Sequence, residues 1–303
     1  MAHTTRRGRR SADPWGEAAG TVAVVADETG FALMRRYASF RFTDHAGYLR
    51  RTEELLRSMS GRHGHTSVAL FDPAGFAEFC EREGLPPDDS ASRARYTAEV
   101  AARGATVPYE GQPLARLVPA LLAETVRWET WELGTDLLAA AGSCPRCGAP
   151  MSRCAFQRAA GLLTEILQRA EPGTHHLVCS LIAETGPLMA ALTAGRGEEG
   201  SLELPEPEAL VLCTLLAVGV ATGDPGGLVL RSRAGGAERG KPGGSGEQVR
   251  GWSLTGGRLR GLSEAEVFAA YCTDARTGEP VPPEHGVVYR GAEDVGPGRC
   301  AEP

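Results

Sequence analysis

Apolar and polar positions along this chain of 303 residues fall into blocks whose spacing predicts short strands and amphipathic helices. Tyr37 to Phe42 alternates with the period of a strand and ends at Thr43-Asp44, a good pair for a helix N-cap. Tyr48, Leu49, Leu55, Leu56 and Met59 then recur at helical spacing to about Ser60. Gly61 to His65 reads as a loop, and Ser67 to Phe71 as a short buried strand. Asp72 caps a helix with Pro73 at its first position and Phe76, Phe79 and Cys80 on one face, stopping at Gly84. Ser90 or Ser92 opens another helix that runs to about Arg103.

A long helix is expected from Pro113 to about Ala141. Leu114, Leu117, Val118, Leu121, Leu122 and Val126 make its apolar face, and Pro119 marks a kink or the true start. Phe156 to Ala170 is a second amphipathic helix, His175 to Ala183 a strand, and Pro205 to Ala221 an apolar, buried helix. Leu228–Ser232, Val249–Leu254 and Arg258–Leu262 read as strands, the last two joined at Thr255-Gly256-Gly257 as a hairpin. Ser263 with Glu266 three residues on forms a capping box for a helix over Glu264 to Cys272.

The resulting fold class is α+β. It comprises a small α/β unit over 34–105, a helical connector with a cysteine loop over 106–172, and an α+β unit with a hairpin over 173–276. Residues 277–303, rich in Pro and Gly, read as a loosely ordered tail. Residues 1–33 read as a leader, either disordered or lying upstream of a true start at Met34. Their basic stretch is followed by an apolar run too short for a secretory signal, which needs roughly 7–15 continuous apolar residues.

Composition narrows the classes. Net charge is −6, from 32 basic and 38 acidic residues, which argues against nucleic acid as a partner. No window approaches the roughly 20 apolar residues of a membrane span. A cytoplasmic chain without a membrane partner is the expectation, its partner unknown and a protein one candidate. Lys241 is the only lysine, Asn is absent, and isoleucine occurs only at 166 and 182, as in the product of a GC-rich genome. An arginine here is therefore weak evidence for anion recognition, despite the fitness of the guanidinium for it.

Among eight cysteines, Cys144-Pro145-Arg146-Cys147-Gly148 followed by Cys154 is the strongest chemical signal. A CPxCG turn aims two thiolates at one ion, and Gly148 admits the left-handed backbone that such a turn needs. Structural zinc held by Cys144, Cys147 and Cys154 is the expectation, with unliganded loop thiols and a redox pair as the alternatives. Tetrahedral zinc needs a fourth ligand, and Cys179, His175 or His176 are the candidates by fold.

Weaker signals have plainer readings. Gly235 to Lys241 matches GxxxxGK, but Pro242 stands where the phosphate-binding motif needs Ser or Thr, so a flexible hairpin loop is expected. Asp44, His45, His63 and His65 suggest an acid/base cluster of a hydrolase, set against capping and loop roles. Trp128, Trp131, Glu129, Glu132 and Asp136 would suit a sugar or cation, though a core helix with solvated glutamates explains them as well. A zinc-stabilised regulatory or protein-interaction protein is the leading functional reading. A hydrolase and a nucleic-acid-binding accessory protein are the alternatives.

Overall fold

The computed structural model describes residues 20–63, 65–184, 186–234, 246–274, 277–296 and 300. Among them are eight helices and ten strands in mixed sheets, an α+β fold. The chain divides into two compact units, with the boundary between Trp128 and Glu129.

In the N-terminal unit, β1 (Thr21–Val24) pairs in parallel with β2 (Ser67–Leu70), and β2 pairs antiparallel with β3 (Thr106–Pro108). Four helices accompany them: α1 (Glu28–Met34), α2 (His45–His63), α3 (Pro73–Glu83) and α4 (Ser90–Arg103). Val24 and Val68 are fully buried, and Phe31, Tyr48, Phe71, Phe76 and Tyr96 close around them. Asp72 caps α3 as anticipated, accepting from Ala74 and Gly75, and α3 ends at Gly84.

Two expectations are corrected in this unit. Residues 20–33, expected within the leader, are part of the fold, and the rest of that stretch, residues 1–19, lies outside the described residues. All four residues of β1 are buried, and Asp27 is the N-cap of α1 and accepts from Gly30 N–H at 2.6 Å. Residues 37–42 form no strand. Tyr37 and Phe40 close successive turns on Met34 and Tyr37, and the alternating aromatics pack as a cluster, with Phe40 and Phe42 centroids 5.0 Å apart. Burial of alternate aromatic side chains there needs no ladder partner. The cap of α4 is Asp89, one residue before Ser90 and three before Ser92, the two serines expected to serve.

The long helix α5 (Leu114–Ala140) contributes to both cores. Leu114, Leu117 and Leu121 belong to the N-terminal core, and Leu138 to the C-terminal one. The expected separate connector over 106–172 is thus shared between the two units.

The C-terminal unit is built on a seven-stranded sheet. Its strands are β4 (Gly173–Ala183), β5 (Gly186–Arg196), β6 (Leu202–Glu203), β7 (Gly226–Ala234), β8 (Glu247–Thr255), β9 (Arg258–Gly261) and β10 (Val287–Tyr289). The order is β10-β8-β7-β4-β5-β6, with β9 also paired to β8. β4 alternates strictly, with His175, Leu177, Cys179 and Leu181 on the buried face and His176, Ser180 and Ile182 outward. Helices α6 (Met151–Arg169) and α7 (Glu206–Thr222) complete the core with the buried face. All ten residues from Val211 to Val220 in α7 are buried. A Cβ on Gly219 would stand 2.4 Å from Leu254 Cδ2, so the helix approaches the sheet there as only glycine permits.

The hairpin at Gly256-Gly257 and the capping box of α8 (Glu264–Tyr271) are as read from the sequence. β5 was not read, because Leu188, Ala190, Leu192 and Ala194 alternate correctly but half of them are alanine, a weak strand former. The expectation of a loose tail is corrected as far as Val295. β10 lies parallel to β8, Val295 N–H donates to Leu259 O, and Trp252 Nε1–H donates to Glu293 O at 2.9 Å. The GxxxxGK loop lies outside the described residues.

Candidate metal centre

Cys144 and Cys147 sit on a tight hairpin between α5 and α6. Ser143 bridges to Pro150, Cys144 N–H donates to Ala149 O at 2.8 Å, and Gly148 N–H donates to Cys144 O at 2.8 Å. Gly148 closes the turn at φ 71°, the left-handed backbone anticipated for it. Pro150 then starts α6 with a fixed φ, and Cys154 falls in the first turn of that helix, fully buried. The hairpin and the helix start are local structures dictated by Pro145, Gly148 and Pro150, and together they bring the Cys154 sulfur to 3.4 Å from that of Cys144.

A fourth thiol completes the group. The ligand atoms of Cys144, Cys147, Cys154 and Cys300 all lie within 4.8 Å of one another. Cys144 and Cys154 are buried, and Cys147 and Cys300 are half-buried, so the centre lies at the edge of the core. Backbone N–H groups of Arg146 and Cys147, and then the Cys154 thiol, donate to the Cys144 sulfur and lower its pKa from the ordinary thiol value to about 6. Hydrogen bonds of this kind favour the thiolate, the form that ligates a metal.

These four residues fit a metal ion. A tetrahedron with metal–sulfur bonds of about 2.3 Å has sulfurs about 3.8 Å apart, within the spread seen here. A disulfide has its sulfurs about 2.0 Å apart, and the described cysteines are all free. Four soft thiolates suit zinc, copper(I) or iron.

The three cysteines expected from the sequence are thus brought together, but the fourth ligand is none of those anticipated. Cys179 points into the core, where burial pushes its thiol up to about 12. His175 Nδ1 is 2.9 Å from Ser232 Oγ, and His176 faces the opposite side with Nδ1 3.2 Å from Thr193 Oγ1. Cys300 was missed because nothing local marks it. Only the pairing of the tail from Val287 to Val295 with β8 and β9 delivers it.

The other candidates have structural roles. Asp44 is exposed and caps α2 through Gly47 N–H at 2.6 Å, and those contacts hold its carboxyl below the usual range. The His45 ring is buried, with Nε2 3.1 Å from Val25 O. His65 is exposed, and the His63 side chain lies outside the described residues. Trp128 packs on Gly104, whereas Trp131 packs against the C-terminal core. No helix among the described residues is long and apolar enough to cross a membrane.

No curated protein and no solved structure matches the chain. Residues 4–112 match the model of a family described as a domain of unknown function (DUF8829), so the similarity covers most of the N-terminal unit and stops short of the cysteines.

Proposed function

We propose that this chain is an intracellular, zinc-stabilised interaction protein, in which the ion has a structural and not a catalytic part. The observation that carries the reading is the convergence of the four thiols. Structural zinc sites are closed by four protein ligands, whereas catalytic ones keep a position open for water. All four positions here are filled by sulfur, which leaves no place for a substrate on the ion. Zinc is favoured over the other thiophilic metals because the CPxCG turn is the usual zinc knuckle and zinc asks for a tetrahedron. Free thiols on this scale also suit a reducing compartment.

The ion would tie together the hairpin after α5, the start of α6 and the end of the tail. Metal binding of this sort contributes directly to the folding free energy of the elements that it joins. The interaction part of the reading draws on the outward face of the sheet. Ile182 and Met189 are 66% and 61% exposed on the paired strands β4 and β5, and exposed apolar side chains on one face are what a protein partner covers. The hydrolase reading loses its support, since Asp44 and His45 are engaged in a cap and in the core.

Cobalt(II) substitution tests the reading. The protein reconstituted with cobalt should show the sulfur-to-metal charge-transfer and strong visible bands of a tetrahedral tetrathiolate, with both reduced in Cys300→Ser. Weak bands of an octahedral, water-rich ion would overturn it.

A further inference from the structure

One end of the buried sheet face is polar, and it opens into a cavity. Reading across β4, β7 and β8, the register pairs His175 with Ser232, and Leu230 with Arg250, so polar groups gather where α6 ends. The cavity there measures about 350 Å³, within the range of small-molecule sites. Ile166, Leu230 and Trp252 supply apolar wall, and Arg169 and Arg250 supply positive charge. Gly291, Ala292, Glu293 and Val295 of the tail form the remaining side, Glu293 with a largely exposed side chain.

Arg250 has no ion pair among the described residues, whereas Arg231 and Arg233 on the neighbouring strand β7 pair with Glu247, and Arg231 also with Glu284. Half-buried Arg250 donates only to the neutral Gln248 Oε1, at 3.4 Å, among the described residues. Arg169 is already engaged by Glu165 at 2.5 Å and lies 4.0 Å from Glu293. Arg250 also lines a second, water-sized space with Glu171, His175 and Ser232. His175 is 1% exposed, with Nδ1 2.9 Å from Ser232 Oγ. A half-buried guanidinium without an ion pair is costly, and the cost falls when a ligand supplies a partner.

We propose that this cavity binds a small organic anion. Its planar oxyanion head pairs with the fork of Arg250, and its apolar body lies against Trp252, Leu230 and Ile166. The apolar wall asks for an organic body, which sets the ligand apart from a free inorganic ion. This site is separate from the thiol centre, and its ligand does not touch the metal.

The probe is 1-anilinonaphthalene-8-sulfonate, which carries an oxyanion on planar apolar rings, titrated into the metal-loaded full chain. The expected result is saturable binding at one site, displaced by 2-naphthoate but not by the same concentration of inorganic phosphate. Arg250→Gln should weaken it at least tenfold while the thermal melt stays that of the wild type. Should Arg250→Gln fail to fold, Arg250→Lys keeps the charge without the fork and should weaken binding severalfold. Dye affinity unchanged in the folded variant, or no saturable binding by the wild type, would overturn the proposal. Displacement by phosphate as effective as by 2-naphthoate would overturn the organic body.

Discussion

The sulfur of Cys154, in the first turn of α6, stands 3.4 Å from the sulfur of Cys144 in the hairpin before it. That distance is far too long for a bond between them and suits two ligands of one ion. The relationship is local, set by Gly148 and Pro150, so the hairpin and helix start can hold their thiols together before the tail arrives. Cys300 completes the four-thiol group, and in the proposed reading the stability of the tail is linked to the metal.

Removal of the metal should therefore loosen the C-terminal unit. An ion present at a hundred times its dissociation constant adds about 2.7 kcal/mol to the folded state. For a unit of this size that is roughly 5–10 °C in thermal midpoint. Calorimetry with and without a strong chelator checks this, and Cys300→Ser should melt like the chelated wild type.

Gly219→Ala should cost about 1–3 kcal/mol by overpacking, because its new methyl meets Leu254 Cδ2 at 2.4 Å and Leu181 Cδ1 at 3.0 Å. Urea denaturation would show a lower midpoint with an unchanged slope. A variant as stable as the wild type would mean that α7 is held less closely on the sheet.

In the N-terminal unit, Asp72→Ala should cost about 1 kcal/mol, since it orphans the Ala74 and Gly75 N–H groups that the carboxylate accepts from at 2.9 and 3.0 Å. Equilibrium unfolding followed by tyrosine fluorescence checks this, and Asp72→Ser should recover most of the loss.

Burial of His175 lowers its pKa below the ordinary 6.5. Below pH 6.5 the unfolded chain then binds a proton that the folded chain does not, so stability is full at neutral pH and declines as pH falls through that value. Denaturation at pH 7.5 and 5.5 should show this decline in the wild type and a smaller one in His175→Gln.

What was legible in the sequence follows from the range of the interactions concerned. Asp72-Pro73, Ser263 with Glu266, and Gly256-Gly257 act within a few residues, and each stands where its local chemistry put it. The same holds for Cys144, Cys147 and Cys154. Failures came where tertiary contacts decide. Thr21 to Val24 looks too short and too near charge to matter, yet it pairs with β2 as a buried strand. β5 was hidden by its alanines, and the place of Cys300 depends on a three-residue strand in a tail rich in proline and glycine. The cavity at Arg250 had no sequence signal, because only the register of β8 on β7 places Arg250 across from Leu230 and away from the glutamate that pairs with Arg231.

The most direct test of the central claim is the metal content per chain, by elemental analysis of protein purified reduced and without chelator. The wild type should carry about one zinc, and Cys144→Ser and Cys300→Ser should each lose most of it. A wild type without metal, or a Cys300→Ser variant that keeps its full zinc, would contradict the four-thiol centre.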